Sequence, residues 1–543
     1  MSPNTSPDTS ADISADTSAD TSADATADET SMMDVSTMLE SLNPATGDVV
    51  GAHRVDTVDS VNAAVARARE ASSWWRDLGF DGRGEVLGQW RSVLTRRMAQ
   101  LAEVVHQETG KPHGDAQLEI GLALDHLAWV GSHAEKVLGR KRVSPGLLLA
   151  NQTASVEYLP FGVIGVIGPW NYPVFTPMGS IAYALGAGNA VVFKPSELTP
   201  GVGVWLAESL REVVAEHDLF QVVIGYAATG AALCRADVDK LAFTGSTATA
   251  KKVMATCAEN LTPVLIEAGG KDALLVDEDA DVIAAADAAA WGAFSNAGQT
   301  CIGIERIYVH DKVHDRFVDE LTRRASTVHA GTDADAKFGP MTMASQVDVV
   351  RHHVEDALAR GGRALVGGAD AVGDRFIQPT VLVDVPEDST AVREETFGPT
   401  VTVRRVRDMD EAVELANATR YGLGSAVFSA KRGPELARRL RSGMTAINSV
   451  ISFAAVPGLP FGGVGDSGFG RIHGPDGLRE FTYAKAVTRV RFKPVLNLTT
   501  FDRTPEQDST VATLLTALHG RATQLPKMPW RPIATRRERS RRR

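Results

Sequence analysis

The chain has 543 residues, 44% of them hydrophobic and 23% charged, with a formal net charge of −11. That is a globular composition, long enough for more than one core, and its mildly acidic balance gives no reason to expect nucleic acid or a membrane surface as partner. The three cysteines, Cys234, Cys257 and Cys301, exclude a disulfide framework, and none lies in a Cys-x-x-Cys pair or Cys/His cluster, so no metal site is expected.

Residues 1–37 are a low-complexity acidic tail in which Asp8, Asp12, Asp16, Asp20, Asp24 and Asp28 recur every fourth position among Ser, Thr and Ala. Such a segment has almost no apolar surface to offset its ordering entropy, and like charges at i, i+4 repel along a helix, so disorder is predicted. There is no basic region leading into an apolar one, as in a secretory signal, and no run of the roughly 20 apolar residues a membrane span needs. A cytoplasmic protein is expected.

The folded body begins near Leu42, where SLNPATGDVV reads as a turn between short strands. From Val58 to Lys136 the pattern is mostly helical, as in VNAAVARAREASSWWRDL. From Ser155 short apolar runs (FGVIGVIG, NAVVFKP, LFQVVIG, KLAFTG, TPVLIEAGG) alternate with helical stretches such as GVWLAESLREVVAEH and STATAKKVMATCAEN. That alternation predicts a parallel sheet with helices on both faces. A second series from DALLVDED through ERIYVH to GMTAINS predicts a second α/β domain and a cleft between the two. Near the end, STVATLLTALHG reads as a short amphipathic helix and RRERSRRR as a solvated basic tail.

The chemistry centres on FSNAGQTC, ending in Cys301, which follows the helical run VIAAADAAAWGAF through a Gly-containing turn. A lone free Cys is more often a small buried hydrophobe than a nucleophile. Its neighbours change that reading. A thiol with a pKa near ~8.5 needs a base or a stabilising field to attack at neutral pH. Glu267 closes the strand before Gly269 and Gly270, which permit close backbone approach; a carboxylate there, with its pKa raised by burial, is a candidate base. Asn171 in GPWNYP is a candidate amide donor for the oxyanion that forms when a nucleophile adds to a carbonyl, with the backbone N–H of Cys301 as a second donor. Taken alone, Asn171 reads equally well as a turn cap before Pro173.

PWNYP, KPSE, FTGST, EAGGK, GQTC, EETFGP and PFGGVGDSGFGR, in this order over roughly residues 42 to 498, resemble the aldehyde dehydrogenase superfamily, in particular its class 3-like and succinate-semialdehyde dehydrogenase-like members. The resemblance implies an α/β fold with a Rossmann-like cofactor domain (38–137 and 158–268), an α/β catalytic domain (269–477) and a β oligomerisation arm (138–157 and 478–498), followed by a C-terminal extension (499–543). It implies Cys301 as nucleophile, Glu267 as general base and Asn171 as oxyanion donor. Lys194 and Glu197 would meet the adenosine ribose of the cofactor, Gly245 and Ser246 its pyrophosphate, Glu395 the nicotinamide ribose and Phe397 the nicotinamide.

The expected cofactor is NAD, because a carboxylate at Glu197 accepts from ribose hydroxyls and repels a 2′-phosphate; Lys194 beside it leaves NADP open. The expected partners are a small-molecule aldehyde and further copies of the chain, as a homodimer or homotetramer. Three positions depart from many relatives: Ala250 replaces a glycine of the Gly-x-Thr-x-x-Gly loop, Ser180 replaces a lysine, and GGVGDSG lacks the usual lysine. The substrate reads as a medium-chain or aromatic aldehyde, or succinate semialdehyde, with Tyr172, Phe175, Ile302, Phe453 and Leu459 as expected tunnel residues. Two alternatives stand beside this: a CoA-acylating semialdehyde dehydrogenase, against which Glu267 argues, and a catalytically silent protein on the same fold.

Overall fold

The computed structural model describes residues 37–494 and 497–520; the acidic repeat up to residue 36 and the Arg-rich end from residue 521 lie outside the described residues. The body opens on an antiparallel hairpin, Met38–Leu42 with Val49–Arg54, joined by the turn the sequence predicts. Four helices follow. The first, Val58–Asp77, is capped by Thr57, whose hydroxyl accepts the Ser60 N–H, and buries Val61, Ala64, Val65, Ala68, Ala71 and Trp75 at helical spacing. The Trp75 indole N–H donates to Leu185 O at 2.8 Å, tying this helix to Phe175–Ala187, the helix that follows the Asn171 turn.

The first large sheet has six strands. Five are parallel and lie in the spatial order Phe220–Val222, Ala190–Lys194, Val163–Ile167, Lys240–Thr244, Val264–Glu267. A short antiparallel strand from much later in the chain, Gly468–Phe469, closes the edge beside Glu267. The strand order reverses between Val163–Ile167 and Lys240–Thr244, and ligands of such sheets bind beyond the strands' carboxyl ends at that reversal. Asn171 follows the first of these two ends, and Gly245 and Ser246 follow the second.

The second large sheet has seven strands, in the order Arg363–Val366, Thr380–Val383, Thr400–Val406, Ile304–His310, Asp272–Val276, Ser425–Phe428, Ala446–Ile447; only the first is antiparallel to its neighbour. Strand Ile304–His310 is buried along its whole length, and its charged residues Glu305 and Arg306 are partnered there, Glu305 by Lys271 and Arg306 by the Lys271 carbonyl. A third sheet pairs Thr482–Val490 with Gln152–Pro160 and that strand with Lys141–Val143. Near the end, helix Pro505–His519 carries a capping box between Thr504 and Gln507. It starts earlier than its apolar pattern suggests, and none of its residues is buried. Among the described residues no helix is long and apolar enough to cross a membrane.

Candidate active site

Cys301 sits between helix Val282–Phe294 and strand Ile304–His310, on a loop that the sequence presents only as a Gly-containing turn. Asn296, Ala297 and Gly298 all have positive φ, at 52°, 57° and 70°. Left-handed backbone at an alanine costs energy that the surrounding structure must hold in place. Here the buried Gln299 supplies part of that hold: its amide nitrogen donates to Asn296 O at 3.0 Å and its Oε1 accepts the Thr342 N–H at 2.8 Å. The result turns the half-buried Cys301 thiol toward the end of the first sheet.

Glu267 meets it there. The Cys301 thiol donates to Glu267 Oε1 at 3.6 Å, and the Thr244 hydroxyl donates to Glu267 Oε2 at 3.1 Å. Burial pushes the Glu267 carboxyl up to about 7, against these two hydrogen bonds. Burial also pushes the Cys301 thiol well above its ordinary value, reinforced by the carboxyls of Glu267, Glu395 and Asp272. The resting site is therefore a neutral thiol beside a carboxyl that titrates near neutrality, an arrangement suited to proton transfer during attack. Gly269 and Gly270 play the part read for them: a Cβ at Gly269 would strike the Glu395 carboxylate, and one at Gly270 the Cys301 carbonyl oxygen.

Asn171 is buried on the turn between strand Val163–Ile167 and helix Phe175–Ala187. Its amide nitrogen donates to Gln299 O at 2.9 Å, which uses one of its two N–H groups and joins it to the Cys301 loop. The Asn171 carbonyl accepts from Asn296 Nδ2 at 3.0 Å. Two donors, the second amide N–H of Asn171 and the backbone N–H of Cys301, have no hydrogen-bond partner among the described residues.

The other expected residues occupy the rim of the two sheets. Ser246 caps helix Thr247–Ala258, accepting the Thr249 N–H, and the Gly245 N–H donates to Glu267 O at 3.1 Å. Lys194 is buried at the end of its strand, with Nζ donating to Pro195 O at 2.9 Å and lying 3.8 Å from the half-exposed Glu197 carboxylate. None of these four is hydrogen-bonded to Cys301. Glu395 accepts the Gly270 N–H at 2.8 Å, and burial pushes it up to about 8. Phe397, at φ 50°, stands edge-on to Trp170 with ring centroids 5.6 Å apart. Its turn is gripped by Glu305, which accepts the Thr396 and Phe397 N–H groups and is ion-paired with the buried Lys271. Ala250 is buried one turn into its helix, as a small residue packed on the sheet must be, and Ser180 is buried within Phe175–Ala187.

Cys301 opens onto a cavity of about 770 Å³, its open mouth included. Tyr172, Phe175 and Ile302 line it as expected. Phe453 and Leu459 do not: Phe453 is buried behind the wall against Phe461, and Leu459 stands 45% exposed on its own loop. The remaining apolar wall is Leu118, Leu122, Trp291, Ile451, Ala454 and Phe461. Leu118 and Trp291 are about half exposed, so the mouth of the cavity is apolar too. Lys111, Asp115 and Glu119, none of them among the residues expected from sequence, form a polar part of the cavity wall. A signal existed in ETGKPH: a lysine held between Gly110 and Pro112 just before a helix.

The aldehyde dehydrogenase family model matches residues 32–487. The chain is 37% identical over 475 residues to a 4,4'-diapolycopene aldehyde oxidase of a Methylomonas species, covering 87% of each chain. It is 37% identical over 451 residues to a Mycolicibacterium smegmatis protein provisionally named an NADP(+) succinate-semialdehyde dehydrogenase, covering 82% of this chain and 86% of that one. The crystal structure of PnpE in complex with nicotinamide adenine dinucleotide superposes with a TM-score of 0.80 at 33% identity, covering 86% of this chain and 96% of that one.

Proposed function

The chain belongs to the aldehyde dehydrogenase family, and on that footing we propose that it oxidises an apolar aldehyde to the carboxylate with NAD(P), through a covalent adduct on Cys301. The observation that carries this reading is the contact between the Cys301 thiol and Glu267, 3.6 Å apart at the foot of an apolar cavity.

The thiol adds to the aldehyde carbon and Glu267 takes its proton. The oxyanion so formed is met by the two donors left free, the Asn171 amide N–H and the Cys301 backbone N–H. A nicotinamide dinucleotide held by Glu197, Ser246, Glu395 and Phe397 would supply the hydride acceptor needed for the Cys301 adduct to reach the thioester level. Glu267 first gives the thiol's proton up to solvent and then, as carboxylate again, draws a proton from water as the water attacks the thioester carbonyl. The same two donors stabilise the second oxyanion, which collapses to expel the Cys301 thiolate; Glu267 returns its proton to the sulfur, and the acid product ionises and leaves as the carboxylate.

The residues fit such a cofactor. The exposed Ser246 opens a helix of 12 residues whose first N–H groups favour a phosphate. The half-exposed Glu197 is free to accept ribose hydroxyls, and the inward-turned Glu395 and Phe397 border Gly270 and Trp170. Glu197 favours NAD, and Lys194, 3.8 Å away, offsets enough of its charge to admit NADP.

The substrate follows from the cavity lining. Among the described residues lining it the cation is Lys111, already ion-paired with Glu119 and with a further carboxyl, Asp115, beside them, so none of these residues offers a free cation to a substrate carboxylate. That favours a medium-chain, aromatic or longer apolar aldehyde over succinate semialdehyde. The division into cofactor domain, catalytic domain and oligomerisation arm belongs to the same proposal. So does self-association through the third sheet, where Val143, Tyr483 and Val490 are exposed. The test is NAD reduction over a panel from propanal to decanal, with benzaldehyde and succinate semialdehyde, each with and without CoA. Acid formed without CoA, faster for the apolar members and lost in Cys301→Ala, is expected. An inactive wild type or an active Cys301→Ala refutes the proposal, and dependence on CoA makes the enzyme acylating.

A further inference from the structure

We propose that Lys111, paired with Glu119, is the positioning residue for Asn171 and through it sets the oxyanion donor; this rests on the reading of the site just given. Lys111 and Glu119 lie eight residues apart, on the Gly-Lys-Pro turn and on helix His113–Leu138, and both side chains are almost wholly buried. The Lys111 ammonium donates to Glu119 and, at 3.0 Å, to the Asn171 carbonyl, and it sits 4.1 Å from the centroid of the Tyr172 ring. Glu119 Oε1 accepts the Val174 N–H at 2.8 Å and the Phe175 N–H at 3.1 Å. The pair thus holds three backbone groups within residues 171–175. The Tyr172 hydroxyl, in turn, is 3.1 Å from Thr300 Oγ1, next to Cys301.

Three features favour positioning over the two plainer roles. A buried ion pair is a weak source of stability, because desolvation offsets the attraction. Fold stability alone therefore gives little reason for one here. A substrate-binding cation would need donors facing the cavity, but the ammonium is engaged by Glu119, Asn171 O and the Tyr172 ring face. And its target is specific: the Asn171 peptide receives Lys111 on one side and Asn296 of the nucleophile loop on the other. The amide of Asn171 leaves that fixed peptide to reach Gln299 O. Loss of Lys111 would let the donor drift, and a displacement of about 1 Å can cost about 10²-fold in rate.

The test is a cycle in the full-length enzyme. Lys111→Met with Glu119→Gln removes both charges of the pair together, leaving beside them only the half-buried Asp115 carboxyl. Lys111→Arg keeps the charge pair and protects the fold, but its planar fork cannot set a donor where Nζ stands. Each is made alone and together with Asn171→Ala. The readouts are kcat and KM for benzaldehyde with NAD, and the rate at which iodoacetamide alkylates Cys301, a displacement that forms no oxyanion.

The expected result is a kcat lower by about 10²-fold for the Met/Gln pair and about tenfold for Lys111→Arg, within the span of lost donor geometry. KM and alkylation should be nearly unchanged, and there should be no further loss in the Asn171→Ala background. Losses that multiply with Asn171→Ala, or alkylation that falls in step with kcat, overturn the assignment. A wild type that oxidises no aldehyde overturns the reading of the site itself, whereas an active wild type with multiplying losses overturns only the role of Lys111.

Discussion

Glu267→Gln is the substitution from which the site's chemistry makes the most exacting demand. The glutamine is isosteric and can still accept from Thr244, so the pocket should keep its shape while losing its proton acceptor. With the Glu267 carboxyl at about 7, about one tenth is ionised at pH 6, half at pH 7 and nine tenths at pH 8. If Glu267 is the base, wild-type kcat/KM rises about tenfold between pH 6 and pH 8 and then levels. Glu267→Gln should lower kcat by about 10²- to 10⁴-fold, the usual worth of a positioned base, and abolish that rising limb. The variant carries a second, opposite sign. The Glu267 carboxylate helps hold the Cys301 thiol high, so removing it should move thiol titration downward. Stopped-flow NADH release against pH reads the first effect, and iodoacetamide alkylation against pH reads the second. A variant that keeps the limb near pH 7, or whose thiol titrates higher than wild type, refutes the assignment of Glu267 as base.

Three further outcomes are expected. Glu197→Gln should raise kcat/KM for NADP relative to NAD by about five- to tenfold, the worth of roughly 1 kcal/mol of partly exposed charge repulsion, measured with one aldehyde and both dinucleotides. Trp291→Ala should raise KM for decanal about tenfold while leaving propanal little changed, since the half-exposed indole covers only the outer part of the cavity; equal effects on both would place decanal elsewhere. Lys271→Met strands the Glu305 carboxylate beneath the Thr396–Phe397 turn and should cost about 3–5 kcal/mol of stability, whereas adding Glu305→Gln should recover much of it in thermal melts.

Much of the fold was legible because its signals are local. Buried parallel strands are mostly apolar, so runs such as VIGVI and LIE before the di-glycine declare themselves, and the helices between them repeat at 3–4 residues. Cys301, Glu267 and Asn171 stood out as candidates because each lies beside backbone suited to such chemistry, a tight loop, a di-glycine and a turn before proline, and the structure brings the three together. The left-handed Asn296–Ala297 pair was not legible, since nothing local asks an alanine for positive φ; part of what holds it is the Gln299 anchor, to Asn296 O within the loop and to Thr342 far along the chain. Lys111 and Glu119 were missed for a similar reason. Their partner Asn171 lies 60 residues from Lys111, and a charged stripe on a helix reads as a solvated face until something covers it. Phe453 was misplaced because periodicity and hydrophobicity say that a side chain is buried, not which cavity it borders.

The least legible property, the charge state of the site, is also the one its chemistry turns on. Three carboxyls act on the Cys301 thiol: Glu267, pushed to about 7 by burial, and Glu395 and Asp272, pushed to about 8 by burial. Were all three charged at neutral pH, the thiol would be surrounded by negative charge that opposes any move toward thiolate. Burial counters this by pushing all three carboxyls up toward or above neutrality, so the site carries less negative charge than three free carboxylates would give it. If Glu267 is the base, its carboxylate forms among neighbours that burial also holds toward neutrality, and above pH 8 the accumulating negative charge pushes thiolate formation further up. Aldehyde oxidation and alkylation should therefore separate along the pH axis. Oxidation needs only the carboxylate and so rises near pH 7. Alkylation draws on free thiolate and should rise above pH 9. Coincident profiles would mean that a preformed thiolate, not proton transfer to Glu267, starts the reaction.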